Sequence, residues 1–194
     1  MKNESKLKGR DLINIGIYSA IYFVILFAIA MLGMIPIFLP LLSVFVPILG
    51  GIPFMLFLTK VKKPGMIFIM AMIMGILMLL TGMGPWPLLT CAIAGGLAEL
   101  SLKSGEYKSV KKAILSYGLF GMWIFGNYLP LFTDYEGYFA QRADYGQAYI
   151  DAVSKLMPLW MAPVLLAACF ICGIIGGFLG RALLKKHFEK AGLA

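Results

Sequence analysis

Charge is almost missing from the apolar parts of this 194-residue sequence, and histidine and cysteine are scarce throughout. The single histidine, His187, lies in a basic tail, and Cys91, Cys169 and Cys172 all fall inside apolar runs. Cys169-x-x-Cys172 has the spacing of a redox or metal pair. No second ligand cluster accompanies it, so packing is the simpler reading. No Asp, Glu, Lys, Arg or His stands near the middle of any long apolar run. Glu99 comes closest, and four residues before Lys103 it is expected to reach the inner interface. A proton-coupled transporter usually needs a buried ionisable relay. A membrane hydrolase needs a nucleophile with a base, or a metal cluster. The chain has no Gly-x-Ser-x-Gly, no paired His/Glu motif and no phosphate-cradling Gly-rich loop with a Lys. The expectation is neither an enzyme nor a self-powered pump, with no cofactor and no metal. No internal repeat is visible, so the inverted-repeat transporter architecture is not indicated. A cleavable signal peptide is not expected either: the first apolar run is too long and lacks a small-residue cleavage site.

What the sequence does have is apolar length. It is 61% apolar, with a mean hydropathy of +0.89, far above a soluble domain. Several runs approach the roughly 20 residues that cross a bilayer. The fold expected is an all-α integral membrane protein, a single membrane domain of six transmembrane helices. The spans read as 12–34, 35–59, 66–82, 87–102, 113–132 and 158–184. Residues 1–11 form a basic head and 185–194 a tail. Pro36, Pro40, Pro47 and Pro53 load the second span and predict a kinked or partly unwound helix. The stretch "TGMGPWP" (81–87) reads as a turn.

The net charge of +8 is distributed unevenly. Lys2, Lys6, Lys8 and Arg10 precede the first span; Lys60, Lys62 and Lys63 follow the second. Lys103, Lys108, Lys111 and Lys112 follow the fourth, and Arg181, Lys185, Lys186 and Lys190 close the chain. Fifteen of the 17 basic residues therefore fall on one side, with Arg142 and Lys155 on the other. This asymmetry predicts both termini in the cytoplasm and explains the basic charge without nucleic acid.

The other side is aromatic. Trp86, Trp123 and Trp160 all lie toward it, and the connection 133–157 carries Tyr135, Tyr138, Tyr145 and Tyr149 among Asp134, Glu136, Asp144 and Asp151. For Trp86 and Trp160 an interfacial aromatic belt weighs equally with a binding role. So long a connection in a small protein is often a lid or binding loop. Asn127 is the polar residue that stands out. It lies about 15 residues beyond Lys112, roughly 22 Å along a helix. Phe120, Trp123, Asn127 and Leu131 would share one helical face. Flanked by aromatics, Asn127 suits a small-molecule pocket as well as it suits an interhelical hydrogen bond. Gly126 and Pro130 would loosen the helix there. The acidic, Tyr-rich entrance leans toward a neutral or cationic aromatic compound; an anionic one would call on Arg142 or Lys155. In the first span, Gly16 and Ala20 stand one turn apart and would let another helix approach closely. Gly173, Gly176, Gly177 and Gly180 form a second such face, assigned to packing within the chain.

Six spans, a small-xxx-small step in the first helix and a long connection before the last resemble the substrate-binding S component of energy-coupling factor (ECF) transporters. More closely, "IPIFLPLL", "GGIPFMLFLTKVKKPGM", "GNYLPLF" and "LLKKHFEKAG" look like the Trep_Strep group of bacterial integral membrane proteins, often labelled ECF S components of the MptD type. The resemblance covers essentially the whole chain. The wider family usually has Ala-x-x-x-Ala in the first helix; here Gly16 takes the first place. The resemblance implies a multi-pass protein of the bacterial cell membrane that captures a vitamin-like micronutrient at the outer face. It also implies partners: a membrane-embedded T component and two cytosolic ATPase subunits. The candidate substrate-binding residues are then Asn127, Trp123, Phe120, Leu131, Trp86, Tyr135, Tyr138 and Trp160, and the candidate partner-binding residues Gly16 and Ala20. An autonomous facilitator and a structural membrane protein are the rival classes.

Overall fold

Away from water a backbone must satisfy its own hydrogen bonds, so apolar runs of this length become helices. The computed structural model describes residues 7–61, 63–140, 142, 144–185 and 189. Lys2, Lys6, Lys62, Lys186, His187 and Lys190 lie outside the described residues. Among the described residues the chain is all-helical, with no strand.

Helix α1 (Gly9–Ala30) ends in a 3₁₀ turn, Met31–Met34, and α2 (Phe38–Leu58) returns beside it. The next pair is α3 (Met66–Leu80) and α4 (Trp86–Lys103). Helix α5 (Val110–Gly121) passes into a 3₁₀ stretch, Met122–Asn127, and the short α6 (Leu129–Thr133). Two short helices, α7 (Tyr135–Ala140) and α8 (Gln147–Leu156), occupy the long connection before α9 (Met161–Leu183). Gly9–Met34, Phe38–Leu58 and Met161–Leu183 are long and apolar enough to cross a membrane, and α3 is a shorter apolar helix.

Cross-links fix which ends lie together. Asp11 at the start of α1 accepts from Lys8 N at 2.8 Å and from Lys63 Nζ, after α2, at 2.6 Å. Glu99, near the end of α4, does not reach out to the interface as expected from its spacing. It is buried, accepts the Ile67 amide at 2.9 Å and so caps the start of α3. Its other oxygen accepts the Tyr107 hydroxyl at 2.7 Å. The helix N-terminus offers unpaired N–H groups and favours negative charge, which is stronger compensation than a distant lysine.

The proline-rich α2 runs through Pro47 and Pro53 as one helix rather than partly unwinding. Neighbours brace it: Tyr117 Oη donates to Pro47 O at 2.6 Å and Tyr128 Oη to Leu39 O at 3.0 Å. Against it lies α9, along the glycine face assigned to packing. A Cβ on Gly176 would collide with Pro47 O, and one on Gly180 would stand 2.6 Å from Gly51 O. Across the middle of the bundle, Phe54 lies 4.4 Å from Phe120 and 4.8 Å from Tyr117, ring to ring. Tyr22 meets Phe120 edge-on at 5.7 Å. Below this aromatic layer Met55, Leu58, Met66, Ile67, Met70 and Met74 are buried and fill the end where α1 begins.

Candidate functional site

Above the aromatic layer the packing opens. Three elements arrive at this end with geometries that keep them apart. The 3₁₀ turn after α1 holds Gly33 at the rim. The α3–α4 turn reverses on Gly82 (φ +81°) and Gly84 (φ +76°), a backbone conformation that glycine adopts without a Cβ penalty. The 3₁₀ stretch Met122–Asn127 winds α5 out of register with its own lower half. Between them lies a cavity of about 200 Å³.

Its walls come from Leu26, Phe27 and Ala30 of α1, Leu39, Leu42 and Val46 of α2, Met78 and Thr81 at the end of α3, and Trp123, Ile124, Asn127 and Tyr128. Tyr138, Phe139, Tyr145 and Tyr149 of the long connection complete it. These residues lie over one side of the cavity, and specific contacts hold the connection in place. Tyr149 Oη donates to Gly33 O at 2.5 Å. Arg142 donates to Gly82 O at 2.8 Å and to Tyr138 O at 2.9 Å, with its guanidinium carbon 3.9 Å from the centre of the Tyr138 ring. Tyr135 Oη donates to Ile150 O at 2.6 Å and ties α7 to α8. Burial raises the Tyr138 and Tyr149 hydroxyls above the ordinary phenolic range, so both remain protonated donors at neutral pH.

The polar groups of the walls are few and partly unpaired. Asn127 Nδ2 donates to Ile124 O at 3.1 Å, which fixes the amide and leaves Oδ1 buried with no partner. Trp123 is 1% exposed, and its Nε1 lacks a partner as well. Outside the walls, in and below the aromatic layer, Tyr22 Oη and Ser19 Oγ are also buried without a hydrogen bond. An unmet buried polar atom costs about 1–3 kcal/mol. Two such atoms, Asn127 Oδ1 and Trp123 Nε1, belong to residues of the cavity wall.

The structure thus brings together Trp123, Asn127 and Tyr138 of the eight candidate residues. Phe120 lies deeper, in the aromatic layer. Leu131 is buried outside the cavity walls, and Tyr135 braces the cover from behind. Trp86 (38% exposed) and Trp160 (65% exposed) face outward, as an interfacial belt requires. Missed by the sequence reading are Gly33, Thr81, Met83 and the wall from α1 and α2. The stretch "IPIFLPLL", which carried the family resemblance, contributes Leu39 and Leu42 to that wall. Gly16 and Ala20 are exposed on the outside of α1, with no atom within 4 Å of a Cβ built on Gly16.

An all-helical fold with three helices fit to cross a bilayer, most of whose outward side chains are apolar, defines an integral membrane protein with transmembrane helices. The chain belongs to the family described as hypothetical bacterial integral membrane protein (Trep_Strep), whose sequence profile matches residues 9–190. Comparisons with curated proteins and with solved structures find no match.

Proposed function

We propose that the chain is the substrate-capture membrane subunit of an ECF-type importer. In this reading six helices cross the membrane, both termini are cytoplasmic, and the covered end faces outward. A vitamin-like or other micronutrient molecule enters under α7 and α8. A T component and two ATPases supply the energy, and the chain itself catalyses nothing. The observation that carries the reading is the contrast along the bundle axis: a covered cavity with unpaired polar atoms at one end, and a filled core below it. A solute held there has no open route past Phe54, Tyr117 and Phe120. That favours capture and hand-over by a larger assembly over an autonomous facilitator.

Native mass spectrometry of the purified protein should find a retained small molecule. Asn127→Leu should insert and purify normally but weaken retention by roughly 5- to 150-fold, the equivalent of about 1–3 kcal/mol. Transport by the purified chain alone in liposomes would overturn the reading in favour of the facilitator.

A further inference from the structure

The cavity also constrains what it holds, given the capture reading above on which this inference rests. We infer that the ligand is an uncharged ring compound carrying an amide-type edge, a hydrogen-bond donor beside an acceptor.

Size comes first. A dry cavity of about 150 Å³ is enough for benzene. The 200 Å³ here takes a single substituted ring and little more. Trp123, Tyr138 and Phe139 supply faces and edges against which a ring packs.

Charge comes second. Among the described residues, no Asp, Glu, Lys, Arg or His lines the cavity. Three charged groups of the cover, Arg142, Asp134 and Asp151, are engaged with other partners. Arg142 donates to Gly82 O and Tyr138 O and lies over the Tyr138 ring, while Asp134 accepts the Gly137 amide and Asp151 the Gln147 side chain. A buried ionised ligand without a counter-charge would be strongly disfavoured.

Polarity comes third, and it selects the functional group. A side-chain amide offers one carbonyl and two N–H donors. One donor of Asn127 is used on Ile124 O, so the group cannot rotate freely, and Oδ1 is left to accept. The fixed amide therefore calls for a ligand N–H, and its own free N–H calls for a neighbouring carbonyl. A ligand amide or lactam satisfies both. A plain hydrocarbon would leave Oδ1 buried and unmet, which is the reason for selectivity.

Benzamide, benzoate and benzylamine share one ring and differ in bearing a neutral amide, an anion and a cation. Isothermal titration of the purified full-length protein in nanodiscs, freed of retained ligand, should show benzamide binding at least 10-fold more tightly than either ion. Asn127→Leu should reduce that preference to less than 3-fold. Equal or tighter binding of benzoate or benzylamine overturns the inference and leaves a capture subunit standing. Identification of an ionised retained molecule does the same. If no probe binds and no molecule is retained, the proposed function falls, and this inference with it.

Discussion

Two helices of this chain carry small residues at helical spacing, and the fold treats them in opposite ways. On α9, Gly173, Gly176, Gly177 and Gly180 are buried. A Cβ on Gly173 would stand 3.0 Å from Gly118 Cα, one on Gly177 3.2 Å from Ile114 Cγ2, and one on Gly51 would run into Gly176 O. On α1, Gly16 and Ala20 are exposed among Leu12, Ile13, Ile17, Ile21 and Val24. Both faces permit close approach of two backbones. Only α9 has its approach completed by this chain. A small-residue step therefore says that a helix could come near, while the rest of the fold decides whether it belongs to the same molecule.

The sharpest way to break the comparison is to enlarge both faces. Gly176→Leu would drive a branched side chain into the α2 backbone at Pro47, which has no flexible end to yield. The two helices would have to separate along their whole seam. A loss of about 3 kcal/mol or more, at the top of the range for overpacking, should appear as poor insertion yield and a lowered melting temperature in detergent.

The same change on α1 should leave the fold alone. Gly16→Leu and Ala20→Leu add apolar volume to a surface that is open in the structure, so folding stability should stay within about 0.5 kcal/mol. If this face docks a T component, co-purification with it and cellular uptake should both fall severely, while ligand affinity of the isolated protein holds. Intact complex and uptake would make the face ordinary lipid-contacting surface.

This distinction shows what could be read from sequence. Composition and span length place the helices within a few residues: 12–34 against Gly9–Met34, and 87–102 against Trp86–Lys103. The turn at 81–87 follows from its glycines, because Gly82 and Gly84 take the conformation that other residues avoid. Of the face predicted for the site, only Trp123 and Asn127 line the cavity, for a geometric reason. Phe120, Trp123, Asn127 and Leu131 align only if the helix is α throughout. The chain from Met122 to Asn127 is 3₁₀. Six residues turned about 120° rather than about 100° each rotate the succeeding helix by roughly 120°. Trp123 and Asn127 stay at the cavity; Leu131 is carried away from its walls. Gly126 and Pro130 signalled the loosening, but not the direction in which the face would turn. The walls from α1 and α2 depend on long-range pairing, which periodicity does not encode.

A smaller effect should separate the cover from the walls. Arg142 is the one strap that joins α7 to the α3–α4 turn through described contacts, bonding Gly82 O and Tyr138 O and lying over the Tyr138 ring. Arg142→Met keeps the length and removes these interactions, together about 1–2 kcal/mol. Stopped-flow measurement should show ligand leaving roughly 5- to 30-fold faster, with little change in melting temperature. An unchanged release rate would mean that the cover does not gate the cavity.

The mildest test concerns Tyr149, the other strap. Its hydroxyl donates to Gly33 O, so the bond exists only while the phenol is protonated. Burial, with Tyr145 beside it, raises its pKa above the ordinary value of about 10. For a group whose pKa is raised in the closed form, the contribution to closure is complete below the ordinary pKa. It is lost as pH rises through the closed-form value. Ligand affinity should therefore be flat with respect to this residue from pH 6 to about pH 9 and decline above about pH 10. Tyr149→Phe removes the same bond at every pH, at a cost of about 0.5–1.5 kcal/mol, or roughly 2- to 12-fold in affinity. The variant should also show a shallower alkaline decline than the wild type, because Tyr138, whose hydroxyl is raised by burial too, is left to titrate alone among the wall tyrosines shifted in the cover. Parallel pH profiles for the two proteins, offset by nothing, would show that closure does not depend on the Tyr149 bond and that the cover rests on Arg142 and aromatic packing.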